Sequence, residues 1–230
     1  MSARPFIVAI DGPAGAGKSS VSKLLARRMG FALVDTGAIY RCVALMARRE
    51  GIAFDDDARL GELLGRVHIH FQVVGEENRV FLGGEDVSSD IRTPENSMAA
   101  SQVSSRPVVR SGLLQLQRRL ALEAGKGAIL EGRDIGTVVF PDADVKFFLE
   151  ANPEVRARRR YEELFQKGVE SSLEEVLADQ LKRDRDDAAR AVAPLKAADD
   201  AIRMDSSVIP LSEVVHKLEA EILRRMAARK

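Results

Sequence analysis

Eight residues near the start, Gly12-Pro13-Ala14-Gly15-Ala16-Gly17-Lys18-Ser19, fit the pattern G-x-x-x-x-G-K-[ST] and leave few folds open to the chain. A loop of this kind works only between a strand and a helix. Its backbone must turn sharply enough for successive N–H groups to converge on phosphate oxygens, and the following helix adds the positive end of its dipole. Both flanks are present: Phe6-Ile7-Val8-Ala9-Ile10 is an apolar, β-branched run of strand length, and Val21, Leu24, Leu25 and Arg28 continue from Ser19 at helical spacing. The motif predicts that Gly12, Pro13, Ala14, Gly15, Ala16, Gly17, Lys18, Ser19 and Ser20 hold a nucleoside triphosphate such as ATP. Lys18 would reach the β/γ-phosphates and Ser19 would ligand Mg²⁺.

The pattern beyond the loop extends this start into an α/β fold. Phe31–Asp35 reads as a second buried strand, and Thr36-Gly37-Ala38 opens a helix through Tyr40 to Arg48. Leu60, Leu63 and Leu64 mark a short helix. Then Val67 to Val74 alternates apolar and polar, Gly75 to Asn78 reads as a turn, and Arg79 to Leu82 as a return strand, giving a small antiparallel insertion. Thr93-Pro94 starts a helix and Pro107 begins another carrying Leu113, Leu114, Leu116 and Leu120, stopped by Gly125-Lys126-Gly127. Further strands are expected at Ala128–Glu131, Val145–Leu149 and Ala201–Asp205. Asn152-Pro153 caps a helix, Ser172-x-x-Glu175 is a capping box for the next, and an amphipathic helix from Ser212 to Arg225 closes the chain. Strands alternating with helices imply a parallel sheet with both faces covered, in one domain over 1–230: core 1–65 and 125–230, insertion 66–92, and helices 93–124.

Composition removes several function classes. Lys plus Arg and Asp plus Glu are 35 each, so no global field favours nucleic acid or an anionic membrane, and any cationic function must be local. No apolar run approaches the ~18 residues of a membrane span, and the N-terminus leads into a strand without a secretory pattern, so a cytoplasmic protein is expected. Cys42 is the only cysteine and reads as a buried structural thiol. His68, His70 and His216 have no acidic or thiol partner at metal spacing. Asn-Lys-x-Asp, which would mark a guanine-reading switch, is absent.

Taken together and in order, Ile10-Asp11-Gly12-Pro13-x-Gly15-x-Gly17-Lys18-Ser19, Asp35-Thr36-Gly37-Ala38-Ile39-Tyr40-Arg41, Glu131-Gly132-Arg133-Asp134-Ile135-Gly136-Thr137 and Arg190-Ala191-Val192-Ala193-Pro194-Leu195 resemble the bacterial cytidylate kinases over nearly the whole chain. The resemblance implies a monomer that transfers the γ-phosphoryl of ATP to CMP or dCMP with Mg²⁺; a kinase acting on UMP or AMP is the alternative. Phosphoryl transfer of this kind needs positioning and positive charge rather than a general base, which agrees with the lack of a His or Cys dyad.

Arg41 and Arg133 stand just past parallel strands, where open α/β sheets place ligands, and by resemblance they grip the acceptor phosphate. A fork-shaped guanidinium binds phosphate bidentately, so Arg41→Lys should be damaging although charge is kept. Cytosine offers an amino donor at N4 beside acceptors at N3 and O2, which calls for a carboxylate; Asp134 fits, with Ser101 and Arg110 completing the base contacts by resemblance. The same comparison sends Arg183, Asp187 and Arg190 to the ribose and phosphate, and leaves Thr36 a sugar or phosphate contact where serine is more usual. Arg156, Arg158, Arg159 and Arg160 crowd one stretch of helix within a lid expected at 155–170, and Arg159 matches the arginine that reaches the transferring phosphoryl. Glu131 ends its strand where an acid would hold Mg²⁺ or its water shell, in place of the family's frequent Asp.

Overall fold

The chain runs β1 (Phe6–Asp11), α1 (Lys18–Met29), β2 (Ala32–Asp35), α2 (Thr36–Arg49), α3 (Asp57–Leu64), β3 (Ile69–Val74), β4 (Glu77–Leu82), β5 (Glu85–Asp86), α4 (Pro94–Ser105), α5 (Pro107–Leu122), β6 (Gly127–Gly132), β7 (Val145–Glu150), α6 (Pro153–Gln166), α7 (Leu173–Ala188), β8 (Ile202–Asp205) and α8 (Leu211–Ala228). This is a computed structural model, and the residues described are 4–75, 77–166 and 168–229. The expected turn at Gly75 to Asn78 and the lid at 155–170 each include one residue outside that set.

Five strands form a parallel sheet in the order β2-β6-β1-β7-β8. All of β1 is buried, as a central strand must be when helices cover both faces. Its side chains alternate between two cores. Ile7 and Ala9 join Val34, Ala128 and Leu130 under α2, α3, α4 and α5, while Phe6, Val8 and Ile10 join Ile129, Phe147 and Leu149 under α1 and α8. The two apolar layers hold the carboxyl ends of β1, β2 and β6 side by side, and the loops leaving those ends build the site. Cys42 is buried in the first core, and burial pushes its thiol up to about 12.

The five core strands and the division at Pro107 agree with the sequence reading. The insertion differs in detail. The register pairs Val74 with Glu77, so the hairpin turns more tightly than expected and Glu77 and Asn78 belong to β4. Val73 is 72% exposed, so the apolar alternation of this strand outruns the core it was expected to face. Asn78 Nδ2 donates to the Leu33 carbonyl at 3.2 Å, tying the small sheet to the core. The loop Gly132-Arg133-Asp134 continues into a single π-helical turn, Ile135–Val139, that periodicity did not signal.

Candidate active site

The loop after β1 meets its neighbours closely. A Cβ on Gly12 would stand 2.1 Å from the Leu149 carbonyl oxygen of β7, and Gly12 has φ +146°, so only glycine fits. Gly15, at φ +76°, abuts Arg156 and Gln180. Three carbonyls of the loop are held by side chains from three elements. Lys18 Nζ donates to Pro13 at 2.7 Å, Arg156 Nη1 to Ala14 at 3.1 Å, and Ser206 Oγ to Ala16 at 3.0 Å. Lys18 is buried at the start of α1, and burial together with the Arg133 guanidinium drives its ammonium well below the usual lysine range.

Ser19 Oγ donates to Glu131 Oε2 at 2.7 Å at the foot of this loop. Burial and the Asp35 carboxylate push Glu131 up to about 7, against the pull of Lys18, Ser19 and Arg41. A hydroxyl and a carboxylate so close are the oxygen donors a hard divalent cation takes. Among the described residues no cluster of three or more His, Cys, Asp or Glu could hold a metal by itself. Thr36 is buried at the start of α2, where Asp35 caps the helix by accepting from Ala38 N. Its Oγ1 donates to the Glu131 carbonyl at 2.7 Å, which leaves lone pairs to accept a further bond.

Beyond β6 the cations converge. Arg133 Nε donates to Asp187 Oδ2 at 2.9 Å, and Arg190 pairs with the same carboxylate, which is almost fully buried on α7. Arg183, one turn back, loses water and lies within electrostatic reach of Arg133, Arg41 and Arg190, which lowers it to about 10. Lys18 feels Arg133 and Arg183 as well. Five like charges drawn together are costly, and an anion among them would relieve the cost.

Beside this cluster opens a cavity of about 370 Å³ lined by Tyr40, Arg110, Leu114, Gln117, Asp134 and Val139, among others. Arg110 and Asp134 pair on its wall at 2.6 Å, both buried, and the Arg110 guanidinium lies 5.3 Å over the Tyr40 ring. Arg110 Nη1 also donates to the Ser104 carbonyl at 3.0 Å, and the Ser104 hydroxyl receives Arg190 Nη2 at 3.3 Å. Ser104 thus joins two site arginines, a role no sequence signal announced. Ser101 is half-buried on α4, outside this wall, and its carbonyl accepts from Ser104. Arg41 is half-buried on α2, with its carbonyl held by the buried Asn96 of α4 at 3.0 Å.

The arginine-rich helix divides its members. Arg156 is buried, donating to the Ala151 and Ala14 carbonyls and pairing with Asp184 of α7 at 2.6 Å. Like charges crowded on this helix repel, and for Arg156 the repulsion is relieved by protein groups. Arg159 binds Ser206 through its hydroxyl at 3.2 Å and its carbonyl at 2.6 Å, beside the Ala16 end of the loop. Arg158 is exposed, and Arg160 pairs with Glu163.

A parallel sheet, a glycine loop opening a helix, and a pocket beside a cluster of arginines define a P-loop kinase fold. The sequence pattern of the family described as Cytidylate kinase matches residues 8–224, and the chain belongs to that family. It is 53% identical over 221 residues to the Cytidylate kinase of Geobacter sp. (strain M21), covering 96% of this chain and 94% of that protein. It is also 53% identical over 225 residues to that of Geobacter sulfurreducens, covering 98% and 96%. An uncharacterized protein from Eubacterium ventriosum ATCC 27560 shares the fold at a TM-score of 0.51 and 13% identity, over 94% of this chain and 98% of that one.

Proposed function

We propose that this chain transfers the γ-phosphoryl group of ATP to CMP or dCMP, giving ADP and CDP or dCDP. The observation that carries the reading is the buried Arg110–Asp134 pair on the cavity wall, set beside the cluster of Lys18, Arg133, Arg183 and Arg190. Asp134 Oδ2 is taken by Arg110, so its other oxygen accepts from the cytosine amino group, while Arg110 donates toward N3 and O2, with Ser101 approaching on binding. Uracil places an acceptor opposite that carboxylate and leaves buried polar groups unpaired.

Arg41, Arg133 and Arg183 hold the acceptor phosphate, which is ionised near neutral pH. One of its oxygens attacks the γ-phosphorus in line; the bond from that phosphorus to the β,γ-bridging oxygen breaks, and its electrons stay with ADP. Lys18 exchanges the Pro13 carbonyl for the β/γ-phosphates, and Arg159 leaves Ser206 for the transferring group. Asp187 keeps Arg133 aimed through Oδ2, and its Oδ1, ion-paired with Arg190, uses a remaining lone pair to accept from the sugar, as does Thr36. Mg²⁺, when bound, neutralises charge on the phosphates; Ser19 and Glu131 would hold it, Glu131 directly or through water. The reading includes a lid at 155–170 that closes over both nucleotides, a monomer, and a cytoplasmic setting; among the described residues no helix is long and apolar enough to cross a membrane.

An acceptor panel tests this: with ATP and Mg²⁺, CMP and dCMP should turn over at least ~100-fold more efficiently than UMP or AMP. Turnover of AMP or UMP with none of CMP would overturn it.

A further inference from the structure

Asp11 closes β1 one residue before the donor loop, and nothing derived so far uses it. Its side chain is buried, at 4% exposure. Oδ1 accepts from Ile135 N at 2.8 Å and Oδ2 from Gly136 N at 2.8 Å, the two amides that open the π-helical turn after Arg133 and Asp134. That turn would ordinarily be capped from within. Asp134 occupies its N-cap position, and aspartate is among the best residues to cap there, yet the Asp134 side chain makes no cap bond and pairs with Arg110 instead.

We infer that Asp11 is a positioning residue for the acceptor site: by capping the turn in place of Asp134, it leaves the Asp134 carboxylate available to the base and fixes the base-reading loop against the strand that carries the donor loop. The inference rests on the acceptor reading above. A cap with no such duty would cost less as a neutral side chain. Burial pushes the Asp11 carboxyl up to about 6, and the Asp134 charge adds to that push, against the two amides and Lys18. The fold therefore holds a disfavoured charge at the meeting point of its two nucleotide loops.

The test is steady-state kinetics of full-length Asp11→Asn. The asparagine keeps one acceptor but turns an NH₂ toward an amide N–H, and Asp134 is then drawn to the vacated amide. The expected result is a fall of about tenfold or more in kcat/KM for CMP, mainly through KM, with KM for ATP changed less than about twofold. In an Asp134→Asn background the same change should add almost nothing, because the carboxylate it protects is gone. Equal losses for ATP and CMP, additive losses in the double variant, or unchanged CMP kinetics would each overturn the inference. Should Asp11→Asn fail to fold, Asp11→Ser, which keeps one small acceptor, carries the same comparison. Wild-type turnover without preference for CMP would instead defeat the acceptor reading, a result separate from anything Asp11→Asn does.

Discussion

Asp187→Asn would strip the negative charge from between Arg133 and Arg190 while keeping the shape of the side chain. Both partners are substantially withdrawn from water, Arg190 at 9% and Arg133 at 20% side-chain exposure, against 2% for Asp187. Breaking a buried pair from one side costs about 3–5 kcal/mol because the other charge is left uncompensated, and partial hydration of Arg133 places this case near about 3. In a chain of this size each kcal/mol moves Tm by roughly 2–4 °C, so scanning calorimetry should find Tm lower by about 6–12 °C. The remaining cluster of Arg133, Arg183 and Arg190 then repels itself without a counterion, so inorganic phosphate should raise Tm by more in the variant than in the wild type. Burial tends to raise the Asp187 carboxyl, but Arg133 and Arg190 outweigh it and hold the group below its usual range. Its contribution is therefore present above the unfolded value near pH 4 and is lost as pH falls through the depressed folded value; the variant should show a flatter acid limb. A Tm change under about 2 °C, or equal phosphate-induced rises in both proteins, would refute the reasoning.

Other perturbations separate the parts of the site. Lys18→Ala should lower kcat by about 10³-fold while CMP binding by calorimetry stays within a few-fold; retained transfer would mean the donor loop is misread. Gly12→Ala should fail to accumulate as folded protein, or lose ATP binding outright, because its Cβ meets the Leu149 carbonyl oxygen at 2.1 Å; a soluble variant with normal KM for ATP would show that β7 yields there. Glu131, raised to about 7, contributes stability that is fully present below its unfolded value near 4.5 and is lost as pH rises through about 7. Thermal stabilisation by Mg²⁺ alone should accordingly grow between pH 6 and pH 8, and Glu131→Gln should abolish that growth; identical Mg²⁺ effects at both pH values would count against Glu131 as a ligand.

Strands and helices of the core were legible because their signals are local. A run such as Phe6–Ile10, apolar at every position, reads as a strand buried on both faces, and Ser172 with Glu175 forms the capping box its spacing announces. The donor loop was equally plain, since its glycines, lysine and serine are consecutive. Asp134 was reached through chemistry, the need for a carboxylate facing cytosine, and Arg110 only through the family resemblance; the fold brings the two to one wall. Ser104, Asp184 and Ser206 escaped notice because their importance is purely tertiary: a short hydroxyl or carboxylate amid a helix or after a strand matters only once distant arginines arrive at it. Asp11 was quoted within a motif, yet nothing in a linear text says that its oxygens would meet amides 124 and 125 residues away. Charge density along a helix likewise did not reveal that Arg156 has its counterion on α7.

The clasped carbonyls of the donor loop bear on how it meets its ligand. With Ala14 held by Arg156 and Ala16 by Ser206, the peptide planes between Gly12 and Lys18 are set before any phosphate arrives, and their ordering entropy is spent during folding. Within the loop motif itself Lys18 must trade one oxygen for another, giving up Pro13 as phosphate takes its place. Capture of the triphosphate then reduces to a side-chain exchange on a preorganised scaffold, so its association rate should be governed by diffusion and by whatever covers the site rather than by rearrangement of the loop.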